Sequence, residues 1–241
     1  MPPDPVVEVR GVHRFYFSGD DSEVAALKNV SFSAVAGEFV AIMGHSGSGK
    51  STLLSLLAGL DDPDGGSVWI CGHRISHRRR DEQAWWRGST IGVLTQTSGL
   101  IEHLSVRGNM DLADFLRRRA RSARRARHLV PGTPEASTSS PPGADQLLVG
   151  VGLEARDAAR PSTLSGGETA RANLAVALSG APRVLLADEP TAEISRSEEQ
   201  DVLRLISDLR PPDGVTVVVT HSDAVAAAAD RVLELDSGVL R

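Results

Sequence analysis

The stretch Gly44-His45-Ser46-Gly47-Ser48-Gly49-Lys50-Ser51 matches G-x-x-x-x-G-K-[ST] and sits between a continuous apolar run, Phe39–Met43, and a helix-forming stretch, Lys50–Leu60. Few patterns narrow the choice of fold as far. The glycines let successive backbone N–H groups turn inward around an anion without a side-chain clash, and the helix that follows adds the positive end of its dipole. In such a loop Lys50 reaches the outer phosphates of a nucleotide and Ser51 sets its hydroxyl on Mg²⁺. Gly44, Ser46, Gly47, Ser48, Gly49 and Thr52 complete the cradle. Lys28 and Lys50 are the only lysines, with arginine supplying every other cationic side chain, so the lysine of the motif stands out from its background.

The rest of the chain supplies the sheet and helices that such a loop needs. Val6–Val9, Val30–Ala34, Ser67–Cys71, Ile91–Leu94, Val184–Asp188, Val215–Thr220 and Val232–Leu235 read as strands. Between them Ser105–Arg127, Ala144–Val151, Gly166–Leu178, Glu198–Leu209 and Asp223–Ala229 read as helices, with Ser105 an N-cap. Continuous apolar strands alternating with helices predict an α/β fold with a mainly parallel sheet covered on both faces. A length of 241 residues, 41% hydrophobic, suits one such domain spanning 1–241 with a smaller helical lobe at about 97–165. That lobe carries an arginine-rich helix and a Pro/Ser-rich loop near 128–143.

Composition excludes several classes. No run of about 18 apolar residues is present, and the start Met1-Pro2-Pro3-Asp4-Pro5 has no basic and apolar segments of a signal peptide. A link to a membrane is therefore expected through a partner. A net charge of −5 argues against a general nucleic-acid binder. The lone Cys71 fits a reducing compartment and reads as a small buried hydrophobe. His73 and His77 stand four apart without an acid between them and with Arg74 alongside, which argues against a metal pair.

Two further motifs lie in the second half. Val184-Leu185-Leu186-Ala187-Asp188-Glu189 is an apolar strand ending in adjacent carboxylates, an arrangement that calls for a cation or a proton because charge near a core is costly. Asp188 suits a Mg²⁺ partner and Glu189 the base that polarises an attacking water. Leu164-Ser165-Gly166-Gly167-Glu168 heads a helix and opens backbone N–H groups to a second anion. A chain with one phosphate cradle has little use for another on the same nucleotide, so the second is expected to serve a nucleotide held by another copy.

In the order Gly44–Ser51, Gln96, LSGGE, Asp188-Glu189 and His221, the chain resembles the ATP-binding cassette (ABC) family over nearly its whole length. The resemblance implies a RecA-like P-loop NTPase core, an N-terminal antiparallel β-subdomain and a helical signature subdomain. It implies hydrolysis of ATP with Mg²⁺ in a head-to-tail homodimer, or a paired ABC subunit. Each nucleotide is then sandwiched between the P-loop of one subunit and Ser165, Gly166 and Gly167 of the other. Gln96 matches the glutamine that senses Mg²⁺ and the membrane partner, and His221 the switch histidine that touches the γ-phosphate and steadies Glu189. Adenine in this family stacks on an aromatic near the N-terminus. Phe15, Tyr16 and Phe17 compete for that role, with Tyr16 preferred and core packing expected of the other two. The closest group comprises the ATPases of lipoprotein release, macrolide or peptide export, and cell division. A transmembrane permease is then the partner, docking near Gln96–Leu104 on the exposed Leu100 and Ile101. The chain would be cytoplasmic and peripheral at the inner face of the plasma membrane. The alternative is a non-transport cassette that regulates or scaffolds an envelope or division complex.

Two departures stand out. Ser195 occupies the place of the family Asp that contacts the opposite subunit; it weakens coupling between sites, or simply caps the helix after it, or leaves the role to the shifted Glu193. The stretch Arg117-Arg118-Arg119, Arg121, Arg124, Arg125 and Arg127 reads first as a solvated helix face, before contact with lipid headgroups, an acidic partner or nucleic acid.

Overall fold

The computed structural model describes residues 3–17, 23–96, 99–127 and 143–241, with the side chains of 123–127 left aside. Two sheets organise it. The first is antiparallel, in the order β2 (Glu23–Ala34), β1 (Val7–Phe17), β4 (Gly65–Ile70), β5 (His73–Arg74). The second has the order β10 (Val239–Leu240), β9 (Arg231–Asp236), β3 (Phe39–Met43), β8 (Val215–Thr220), β7 (Val184–Asp188), β6 (Ile91–Leu94). All neighbours in it are parallel except β10 with β9.

The central strands β3, β7 and β8 are buried on both faces, which is why their sequences are unbroken apolar runs rather than alternating ones. One face packs with α1 (Lys50–Leu57) and the antiparallel sheet into a core containing Ile42, Leu53, Leu57, Leu186 and Val217. The other face packs into a second core holding Phe39, Met110, Leu148, Leu174, Leu185 and Ile206. Those residues draw in α3 (Val106–Arg127), α4 (Ala144–Gly150), α5 (Gly166–Leu178) and α6 (Arg196–Leu209). α2 (Arg80–Thr90) adds Trp86 to the first core and α7 (Asp223–Ala228) adds Val225 to the second.

Five of the expected strands and helices coincide with the observed ones to the residue: β3, β6, β7, β8 and α5. The N-terminal strands are longer than their apolar alternation indicates. β1 runs on past Val9 to Phe17 through irregular pairing, with Gly11 and Asn29 at positive φ, so the two-residue period breaks while the ladder continues. Val6 lies just outside β1, and the short β5 and β10 were not anticipated. Ser105 accepts from the Gly108 N–H at 3.0 Å, as an N-cap should. Trp86 is buried and Trp85 donates its indole N–H to the Ala120 carbonyl, anchoring α2. His73 lies on β5 and His77 follows at φ 55°, so the two do not share a helix face. Cys71 packs against the first core, and burial pushes its thiol pKa up. The expected Pro/Ser-rich loop lies outside the described residues.

The arginine stretch is not a solvated face throughout. Arg117 is buried on α3, donating to the Ile91 carbonyl at 2.8 Å and the Ala177 carbonyl at 3.1 Å. Arg121 reaches the Ser89 and Ala181 carbonyls. The physical reason is that the ends of α2 and α5 present carbonyls with no helical partner, and a guanidinium supplies several donors in one plane. Arg118, pairing with Asp114 at 2.7 Å, does face solvent. Leu100 also departs from expectation: it is buried in the second core, and only Ile101 of that pair is exposed.

Candidate functional site

The C-terminal ends of β3, β7 and β8 open onto a cleft of about 660 Å³. Its walls include Tyr16, Ser46, Gly47, Gly49, Lys50, Ser51, Thr52, Gln96, Asp188, Glu189 and His221, joined by Ala26 and His45. Ligands in open α/β folds bind at such strand ends. The loop between β3 and α1 is shaped by glycine. A Cβ on Gly44 would sit 2.3 Å from the Leu235 carbonyl oxygen, and Gly49, at φ 107°, passes so close to strand β2 that a Cβ would meet the Ala26 carbonyl at 2.4 Å. Behind the loop the Ser48 hydroxyl is buried without a hydrogen-bond partner among the described residues. Lys50 is almost fully buried and folds its ammonium back onto its own loop, donating to the Gly44 carbonyl at 2.7 Å and the His45 carbonyl at 3.1 Å.

Opposite stands the carboxylate pair. Burial raises the pKa of Asp188 above the ordinary carboxylate value, a hydrogen bond from Ser51 opposes this, Glu189 adds to it, and Lys50 draws it down. Glu189 adopts φ 46°, a left-handed conformation that a non-glycine residue takes at a cost of about 1–2 kcal/mol. Its side chain is held from both oxygens: Oε2 accepts from Thr220 Oγ1 at 2.9 Å and from the His221 N–H at 3.3 Å, while Oε1 lies 2.8 Å from His221 Nδ1. Lys50 Nζ is 4.0 Å from Oε1. An oriented carboxylate, an imidazole and an ammonium therefore face one cavity lined by the glycine loop. The Ser51 hydroxyl, the Asp188 carboxylate and the Gln96 amide are hard oxygen donors of the kind that suit Mg²⁺.

Of the three competing aromatics, only Tyr16 lines the cleft. Its ring lies against the Arg14 guanidinium, 4.7 Å from the ring centroid, and its hydroxyl donates to Asp61 Oδ2 at 3.2 Å. Phe15 is stacked with His13, and Phe17 projects into solvent at 78% exposure. Asp61 and Asp64 hold Arg14 in turn, a supporting frame that no motif in the sequence signals.

Ser165, Gly166 and Gly167 do not reach this cleft. Ser165 caps α5, with Oγ accepting from the Glu168 N–H at 3.1 Å and the Glu168 carboxylate accepting from the Ser165 N–H at 2.9 Å, a reciprocal capping box. Ser195 caps α6 in the same way with Glu198.

Residues 27–192 match the family model described as ABC transporter. The chain belongs to the ABC transporter family. The cassette is 36% identical over 239 residues to the lipoprotein-releasing system ATP-binding protein LolD 2 of Rhodopirellula baltica, covering 99% of this chain and 89% of that protein. It is 37% identical over 236 residues to the pyoverdine export ATP-binding/permease protein PvdT of Pseudomonas aeruginosa, covering 98% of this chain. There it spans only 33% of the relative's length. Among solved structures it resembles the dimeric form of MJ0796, a bacterial ABC transporter cassette, with a TM-score of 0.78 and 30% identity over 96% of this chain and 95% of that one. The cassette is thus an ABC ATPase of the lipoprotein-release and export group, and its nucleotide is ATP. No helix among the described residues is long and apolar enough to cross a membrane.

Proposed function

We propose that this chain binds Mg-ATP in the cleft, uses Glu189 to polarise the attacking water, and drives a separate membrane permease through ATP-dependent head-to-tail dimerisation. The observation that carries this reading is the Glu189 carboxylate, pinned by Thr220 and His221 and facing Lys50 across a glycine-shaped loop. A base already held in position needs no reordering at the moment of reaction. Lys50, now bonded to its own loop, exchanges those carbonyls for β- and γ-phosphate oxygens, and the loop N–H groups take the remainder. His221 meets the γ-phosphate while keeping Glu189 aligned. Magnesium, when bound, neutralises phosphate charge, and Ser51, Asp188 and Gln96 are the residues that would hold it.

Tyr16 offers adenine a platform whose far side is occupied by Arg14. Replacing Tyr16 by alanine is expected to weaken binding of a fluorescent ATP analogue about tenfold, whereas alanine at Phe17 leaves it within about twofold. Equal losses at both positions would remove Tyr16 from the site.

The position of Ser165, Gly166 and Gly167 off the cleft supports their service to a second copy's nucleotide, as does the dimeric state of MJ0796. A mixing experiment tests it. A Lys50→Ala chain and a Ser165→Arg chain are each expected to be inactive alone and to regain ATPase activity together, because one composite site is then intact. No recovery on mixing sinks the head-to-tail arrangement. The name of PvdT, an ATP-binding/permease protein, supports a permease partner, and exposed Ile101 in the Gln96–Leu104 segment supports its docking there. The chain then lies peripherally at the inner face of the plasma membrane. Ser195 in place of the family Asp is expected to lower turnover. Ser195→Asp should raise the ATPase rate of the assembled complex severalfold, and an unchanged rate ends that idea.

A further inference from the structure

The first turn of α6 joins parts of the cassette that lie far apart in sequence. Glu199 Oε1 accepts two hydroxyl hydrogen bonds. One comes from Thr191 Oγ1 at 3.0 Å, two residues after Glu189, and the other from Ser222 Oγ at 2.6 Å, the residue after His221. The Ser222 N–H donates to Thr220 Oγ1 at 3.0 Å, and that hydroxyl donates to Glu189 Oε2. A continuous hydrogen-bonded path therefore runs from the hydrolytic carboxylate to Glu199. Beside it, Glu198 Oε2 accepts from the Ser195 hydroxyl at 2.7 Å and the Ser195 N–H at 3.2 Å. Its Oε1 packs so closely on Gly167 that a Cβ there would lie 2.3 Å away. Adjacent glutamates on one helical turn thus hold the segments after Glu189 and His221 on one side and the start of the signature helix on the other.

Resting on the head-to-tail reading above, we propose that Glu199 and Glu198 are positioning residues that tie the hydrolytic group of one nucleotide site to the signature glycines presented to the other. Loss of γ-phosphate contact at His221 shifts Ser222. Glu199 carries that shift to the first turn of α6, and Glu198 passes it to Gly167, which addresses the second nucleotide. Two hydroxyls converging on one carboxylate oxygen make the acceptor atom, rather than the charge, the essential feature. Linkage of this kind is energetic coupling between sites, and its measure is cooperativity.

The test is ATP hydrolysis by the purified chain as a function of ATP concentration. Wild type is expected to show a Hill coefficient approaching about 2. Glu199→Ala should bring it to about 1 and lower kcat about tenfold, with the affinity for a fluorescent ATP analogue in the single chain within about twofold of wild type. Glu199→Gln keeps the acceptor oxygen and should restore cooperativity. Thr191→Val, which removes one donor at constant shape, should lower the Hill coefficient partway. Melting curves separate these effects from loss of fold, and Thr191→Val carries the test if Glu199→Ala does not fold. Wild-type cooperativity in Glu199→Ala or Thr191→Val would overturn the relay, and so would a Gln variant as impaired as the Ala variant. Should wild type hydrolyse without cooperativity and the Glu189→Gln chain stay monomeric in ATP, the dimer reading falls and takes the relay with it. A Glu189→Gln dimer alongside a cooperative Glu199→Ala chain sinks the relay alone.

Discussion

Glu189→Gln is expected to reduce ATP hydrolysis by about two to three orders of magnitude while leaving ATP binding intact. The amide is nearly isosteric, and its oxygen can still accept from Thr220 and the His221 N–H, so the left-handed backbone at φ 46° and the hydrogen-bonded frame remain. What disappears is a carboxylate able to polarise the attacking water. If, as proposed, ATP binding closes a head-to-tail dimer that hydrolysis reopens, the variant accumulates as an ATP-bound dimer. Light scattering in Mg-ATP checks this beside a phosphate-release assay: a doubled mass with almost no release is the expected pair of results. A variant that hydrolyses at the wild-type rate would assign the base elsewhere, and a purely scaffolding cassette would lose no activity-dependent function.

The second large effect concerns stability. Arg117→Leu should lower the unfolding free energy by about 2–5 kcal/mol, because two buried carbonyls, of Ile91 and Ala177, lose their donors, and each unsatisfied group costs about 1–3 kcal/mol. Ala177 lies in the last turn of α5, where a cation also meets the negative end of the helix dipole. Burial pushes the Arg117 pKa down to about 10, so the side chain remains a cation at neutral pH and holds both carbonyls there. Gly180, at φ 74°, makes room for the stem: a Cβ there would come within 2.6 Å of Arg117 Cδ. Arg118→Ala removes only the exposed pair with Asp114 and should change stability by less than about 0.5 kcal/mol. Urea unfolding of the two variants decides the matter. Equal effects would return Arg117 to the solvated surface.

The two arginines illustrate what a linear reading misses. In the run Arg117-Arg118-Arg119 nothing local tells one guanidinium from the next, and a run of like charge is ordinarily a hydrated surface. The helix places Arg117 and Arg121 four apart on one face, and that face turns inward only because the ends of α2 and α5 converge there. Leu100 failed in the opposite sense: an apolar residue in a loop suggested a docking surface, but the second core takes it up. The alternation by which a half-buried strand is recognised stops at Val9, although β1 continues to Phe17, because the irregularity at Gly11 interrupts it.

By itself the sequence determined the phosphate loop, the buried parallel strands and the paired carboxylates. Each is a local chemical requirement: glycine where a Cβ cannot fit, unbroken apolar residues where both faces are covered, acids at a strand end that opens onto the cleft. Tertiary structure alone decided which aromatic faces the cleft, which arginine is a structural brace, and what the first turn of α6 holds. Those outcomes depend on distant segments meeting. Tyr16 is set by Arg14 and Asp61, and Glu199 by Thr191 and Ser222, partners separated in the chain and brought together only when both cores close around the sheet.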